Sequence, residues 1–161
     1  MSDAPGALVV RPARADELAA LAAVVAPQPL LVRYEITAER LARLLGDALA
    51  RGEPVVVAAL GDAAPLGFAW FQTRGTFAAG GYLRLIAVAP GDVSRGVGAA
   101  LLDAVERAVA VESRHLFLLV SHWNEGASRF YARRGYAEVG RLPAFVRADT
   151  DEIICCKRVR D

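Results

Sequence analysis

Gly80-Gly81-Tyr82-Leu83-Arg84-Leu85-Ile86-Ala87-Val88, closed by Pro90-Gly91, is followed by an amphipathic stretch from about Arg95 to Val111, then by His115-Leu116-Phe117-Leu118-Leu119-Val120. Strand, loop, helix and strand in that order decide the fold. In the middle stretch Leu101, Val105 and Val109 recur four apart, the spacing of one helix face. The last run is uniformly apolar, the pattern of a strand covered on both faces in a parallel pairing.

Working outward, residues 8–11 form a short apolar run ending at Pro12. Residues 15–25 follow with Leu18, Leu21 and Val25 at helical spacing and Asp16 and Glu17 in the first turn. Pro27 and Pro29 break that helix. A second begins at Thr37-Ala38-Glu39-Arg40, with Leu41, Leu44, Leu45 and Leu49 on one face and Gly52 just past its end. Residues 55–60 and 66–73 read as antiparallel strands joined by the turn-forming Gly61-Asp62-Ala63-Ala64-Pro65. A helix over 124–134 stops at Gly135, and short strands are expected at 136–139 and 153–159. The order β, α, α, β, β, β, α, β, α, β, β is a mixed α/β fold, with meander strands before a crossover and about four helices; it excludes all-helical bundles and sandwiches.

A length of 161 residues fits one domain spanning 1–161. Nineteen basic against 18 acidic residues leave a charge of +1, too near zero to attract DNA, RNA or anionic lipid, so neither nucleic acid nor membrane is an expected partner. No apolar run approaches the roughly 20 residues of a membrane span, and residues 1–6 lack a basic stretch followed by an apolar one. A cytoplasmic location is the expectation. Cys155 and Cys156 are adjacent, awkwardly placed for a disulfide and too few for a metal cage; they read as buried thiols.

The chemistry centres on Ser94-Arg95-Gly96-Val97-Gly98-Ala99-Ala100-Leu101-Leu102, where loop becomes helix. First-turn amides have no partner within the helix and carry partial positive charge, so glycines there let a phosphate approach the main chain. A P-loop would need Gly-Lys, and the only lysine is Lys157; a dinucleotide fingerprint would need a third glycine where Leu101 stands. Glycines that merely ease a turn remain the alternative. A second constellation, Trp123-Asn124-Glu125-Gly126-Ala127-Ser128-Arg129-Phe130-Tyr131-Ala132-Arg133-Arg134-Gly135-Tyr136, joins the chain's only asparagine to Phe130-Tyr131 and a Gly-aromatic helix stop.

Together with the strand 83–88, Ala89-Pro90 and the Arg95-to-Gly98 turn, this segment resembles the GCN5-related N-acetyltransferase (GNAT) superfamily, whose signature runs strand, Gly-x-Gly turn, helix, strand, Asn-x-x-Ala and Phe-Tyr-x-x-x-Gly-aromatic. The resemblance implies a mostly antiparallel sheet splayed between its fourth and fifth strands, with acetyl-CoA as cofactor. It implies that Ile86, Ala87 and Val88 pair with the pantetheine arm, and that Ser94, Arg95, Gly96, Val97, Gly98 and Ala99 hold the pyrophosphate. A backbone N–H near Val88 would polarise the thioester carbonyl, Asn124 would bond the cofactor arm, and Tyr131 would protonate the departing thiolate. The family usually carries Arg or Gln at the position of Val93; Arg95 is the candidate substitute charge.

Direct transfer needs a neutral amine, and at pH 7 deprotonating a lysine-like group costs roughly 4 to 5 kcal/mol. The fourth strand has no carboxylate to help, unlike some relatives. His122 is one candidate base, with a loop histidine at a strand end as its other reading. Glu35, next to Tyr34 ahead of the second helix, is another, with a solvated helix-start carboxylate as its alternative. Trp70, Phe71 and Phe77 read as core or pocket wall, and Arg129, Arg133 and Arg134 as a solvated helix face. The expectation is acetyl transfer to a primary amine on a small molecule or peptide, Tyr131 acting as general acid. The rival is a catalytically silent acyl-CoA-binding module. The strand carrying Ile153, Ile154 and Val159 leaves a homodimer open.

Overall fold

The computed structural model describes residues 6–93 and 95–161. Strand β1 (Leu8–Pro12) leads through a single 3₁₀ turn (Ala15–Glu17) into helix α1 (Leu18–Val25), then α2 (Pro29–Arg33) and α3 (Ala38–Ala50). Strands β2 (Val55–Leu60), β3 (Gly67–Thr76) and β4 (Gly80–Val88) precede helix α4 (Val97–Glu112); strand β5 (His115–Ser121), helix α5 (Glu125–Arg133) and strands β6 (Ala137–Arg147) and β7 (Thr150–Arg158) complete the order. Thr37 caps α3 by accepting the Arg40 N–H at 3.2 Å, and Gly52 stands just beyond its end at φ +73.

Among the described residues, the seven strands hydrogen-bond in the order β1-β2-β3-β4-β5-β7-β6. β1–β2, β2–β3, β5–β7 and β6–β7 are antiparallel, and β4–β5 is the parallel pair. Its register runs from Gly81↔Leu116 to Leu83↔Leu118, while β4 continues to Val88 and β5 to Ser121. No helix among the described residues is long and apolar enough to cross a membrane.

The chain divides into two compact units. One takes residues up to Phe71 together with Leu85–Val105; the other takes Gln72–Arg84 and Glu106–Asp161. In the first, Leu18, Leu21 and Val25 of α1, Leu31 of α2 and Leu41 and Leu45 of α3 pack with Val55, Val57, Phe68, Trp70 and Ala87 into a buried core. In the second, α4 lies so close to β4 that a Cβ on Gly81 would fall 2.4 Å from Val109 Cγ1, so only glycine fits there.

Four readings change. Pro29 does break α1, but it also starts the short α2, because proline's fixed φ suits the first position of a helix; the count becomes five α-helices among the described residues. β6 and β7 run far beyond the short strands expected. β6 is largely exposed and contains Pro143, features of a loop in sequence, but pairing with β7 carries it through two register shifts. β5 is covered on one face only: Leu116, Leu118 and Val120 are buried, Phe117 and Leu119 half-buried, an alternation hidden by the uniform apolar run. Trp70 and Phe71 are buried, as read, and Phe77, though 87% exposed, lines a cavity with Tyr82 and Phe117. Of the two thiols, Cys155 is buried and Cys156 half-buried.

Candidate active site

In the first unit, β4 and the start of α4 hold the residues assigned to the cofactor. Ala89 N donates to the Leu66 carbonyl at 2.7 Å, on the β3 side. Main-chain groups alternate edges along a strand, so those of Ile86 and Val88 face the opposite edge and those of Ala87 face β3. The Val88 carbonyl on that edge accepts a hydrogen bond from Gln28 Nε2. Gln28 was invisible to motif reading, since it lies 60 residues from its partner in a proline-flanked linker with no pattern of its own.

At the α4 entrance Gly96 takes φ +77, a conformation that favours glycine, and its Cα faces open space. Ala100 N closes the first helical bond on the Gly96 carbonyl at 3.0 Å. The amides of Val97, Gly98 and Ala99 precede it and belong to the unpaired first turn, where no acidic side chain stands. Val97 is buried, Gly98 and Ala99 half-buried, and Gly96 exposed. Arg95, the substitute charge, is exposed and forms an ion pair with Asp92 at 2.7 Å; Val93 points into solvent. Ser94 lies outside the described residues. A turn of neutral amide donors beside an open strand edge suits a diphosphate joined to an amide-bearing arm, so these residues fit acetyl-CoA.

In the second unit Asn124 caps α5, its Oδ1 accepting the Ala127 N–H at 3.1 Å, and its Nδ2 is the donor suited to a ligand amide. Tyr131 is 7% exposed, its ring edge-on to Phe130 at 5.2 Å and to Tyr136 at 5.5 Å. Burial, with a smaller contribution from Cys155, holds its phenol well above the usual tyrosine pKa, so the proton stays on Oη at neutral pH. Tyr136 is fixed by donating to Glu106 at 3.0 Å, the same carboxylate that takes Lys157 Nζ at 2.7 Å. Burial and then Glu106 raise the Tyr136 pKa too.

His122 is exposed. Its Nδ1 stands 3.1 Å from the Asp151 N–H and 3.3 Å from the Asp151 carbonyl, so the ring is tied to the β7 backbone. Glu35 is exposed at φ +55 and borders a pocket of about 260 Å³ with Ala26, Val32, Ile36 and Thr37; its carbonyl accepts from Arg40. The structure thus groups Ile86, Ala87, Val88 and residues 95–99 with Glu35 in one unit, and His122, Asn124 and Tyr131 in the other.

Residues 19–136 match the Acetyltransferase (GNAT) family. A comparison with curated proteins returns no match. Among solved structures, a protein assigned to the GNAT acetyltransferases from Desulfovibrio desulfuricans is similar at TM-score 0.79 and 30% identity, over 95% of this chain and 99% of that one. Ard1 from Thermoplasma volcanium shares the fold at TM-score 0.76 and 21% identity, over 96% and 99% of the two chains. So does a Salmonella typhimurium protein described as an acetyltransferase and solved with its cofactor acetyl-CoA, at TM-score 0.71 and 14% identity over 96% and 95%. With the family match covering more than half of the chain, the protein belongs to the GNAT family, an N-acetyltransferase whose acetyl donor is acetyl-CoA.

Proposed function

We propose that the protein transfers the acetyl group directly to a primary amine, on a small molecule or a peptide, with Tyr131 as general acid. Residues 1–161 are taken to act as one domain, since the family match runs through both units. Acetyl-CoA supplies an activated acetyl thioester. The outward main-chain groups of Ile86 and Val88 hold the pantetheine arm as an added strand would, and the Val88 N–H is the donor for the acetyl oxygen. Gln28, by binding the Val88 carbonyl, holds the end of β4 in place for that work. The first-turn amides of Val97, Gly98 and Ala99 take the diphosphate, and Gly96 keeps the approach open. Asn124 donates to the arm through Nδ2 while Oδ1 caps α5.

The observation that carries the reading is the state of Tyr131. Burial keeps the Tyr131 phenol protonated, so at neutral pH it stands as a neutral O–H donor that hydrogen-bonds the departing thiolate and hands over its proton as the attacking amine loses one. His122 acts mainly in joining the β5 end to β7 through Asp151, and Glu35 stands in solvent, so neither is assigned as base. The test is Tyr131→Phe, which should lower turnover by about 10- to 100-fold while calorimetry shows acetyl-CoA affinity nearly unchanged. Unaltered turnover would remove Tyr131 from the reaction.

A further inference from the structure

Within the second unit, Tyr131 is joined to Tyr136 by the way α5 ends. Gly135 takes φ +88, its N–H donates to the Ala132 carbonyl at 3.1 Å, and the Tyr136 N–H donates to the Tyr131 carbonyl at 3.0 Å. These two bonds make a Schellman closure, which turns the residue after the glycine back onto the last turn of the helix. Here both partners are aromatic, and their rings meet edge-on at 5.5 Å. The interval Tyr131-Ala132-Arg133-Arg134-Gly135-Tyr136 thus packs one phenol on the other through local structure alone.

A phenylalanine at position 136 would satisfy that packing, so the Tyr136 hydroxyl does something more. It donates to Glu106 Oε1 at 3.0 Å, while Glu106 Oε2 takes Lys157 Nζ at 2.7 Å. Lys157 Nζ also stands 5.6 Å from the centre of the Tyr136 ring, which closes the three side chains into a triangle. Little water reaches it: Tyr136 is 6% exposed, and the Lys157 and Glu106 side chains 25% and 15%. Its corners belong to α4, to the segment after α5 and to β7, so three parts of the fold meet at the ring that packs on Tyr131. Desolvation offsets much of the attraction within a half-buried ion pair, so this one adds little net stability. It does supply a fixed acceptor in a fixed direction for one hydroxyl.

We infer that Glu106 is a positioning residue for the proton donor: held by Lys157, it anchors the Tyr136 hydroxyl, and the anchored ring keeps the Tyr131 ring in a single orientation. The inference rests on the reading of Tyr131 as general acid and names the residues that aim it. A proton donor works only within hydrogen-bond reach of the leaving atom, and a misplacement of about 1 Å can cost about 100-fold. Glu106 and Lys157 escape sequence reading because they lie on other elements, far along the chain from Tyr131 on either side.

The test is Tyr136→Phe in the whole protein, alone and combined with Tyr131→Phe; it keeps the ring and removes only its anchor. Thiol release from acetyl-CoA is followed with hydroxylamine, a small nucleophile that is already neutral at neutral pH, and acetyl-CoA affinity is measured by calorimetry. Tyr136→Phe should lower kcat by about 5- to 10-fold with acetyl-CoA affinity unchanged. In the Tyr131→Phe background it should lower kcat by less than about twofold, since a residue that acts through Tyr131 then has nothing left to aim. Glu106→Leu, which removes the acceptor of the same bond, should give the same pattern. Wild-type kcat in Tyr136→Phe, or an equal loss in both backgrounds, would overturn the inference while leaving Tyr131 as the acid. Wild-type kcat in Tyr131→Phe alone would instead overturn the general-acid reading on which it rests.

Discussion

At the scale of single residues, spacing and environment answer different questions. The interval from Asn124 to Phe130-Tyr131 and Gly135 marks Tyr131 in the sequence, but only packing against Phe130 and Tyr136 shows why its proton is retained. His122 is the opposite case. Its chemistry suggests a base, yet its Nδ1 is engaged with the Asp151 backbone, at 3.1 Å from the N–H and 3.3 Å from the carbonyl. His122→Asn should therefore change kcat by less than about threefold and leave the acid limb of the pH–rate profile in place, whereas loss of a general base costs about 100-fold or more. A drop of that size would make the imidazole the base after all. Gly81 is a purely spatial requirement. Gly81→Ala places a methyl 2.4 Å from Val109 Cγ1 and should destabilise the protein by about 1 to 3 kcal/mol in urea titrations, with partial rescue by Val109→Ala. An unshifted midpoint would contradict the close approach.

Among the elements, α4 concentrates the proposed diphosphate site in its first turn. Its first turn offers amides and no carboxylate, so the field there favours an anion. Gly98→Glu should strengthen the helix slightly yet weaken acetyl-CoA binding by about 10-fold or more, through side-chain intrusion and repulsion of the diphosphate. Wild-type affinity by calorimetry would rule out a diphosphate at that turn. The helices α3, α4 and α5 were legible because periodicity and caps are local: Thr37 and Asn124 each bind a backbone amide three residues on. β6 was not, because eleven mostly exposed residues with a proline acquire strand character only from their partner β7.

For the whole molecule, acid stability is set in part by Glu17. Arg11 donates two hydrogen bonds to it at 2.7 and 2.8 Å and the Arg14 N–H a third at 2.8 Å. The Arg11 bonds lower its pKa most, against the opposing effect of burial. Asp151 is lowered likewise, by the Ala144 N–H and then Arg141. A carboxylate whose folded pKa is depressed stabilises the fold above its unfolded value near 4.3 and loses that contribution as pH falls through the lower folded value. Thermal melts should therefore drop steeply below pH about 4, and Glu17→Gln should cost about 1 to 3 kcal/mol at neutral pH and flatten that drop. An equally steep fall in the variant would remove Glu17 from the account. Taken by itself, the amino-acid order determined the strand, helix and strand around the glycine turn, the capped helices, and Asn124 and Tyr131 as candidates, because each depends on neighbours within a few turns of chain. Tertiary structure alone decided that Gln28 holds Val88, that β5 is covered on one side, and that Phe145 of β6 lines one cavity with Tyr82 of β4. Those depend on segments tens of residues apart meeting in space, and no local period encodes such a meeting.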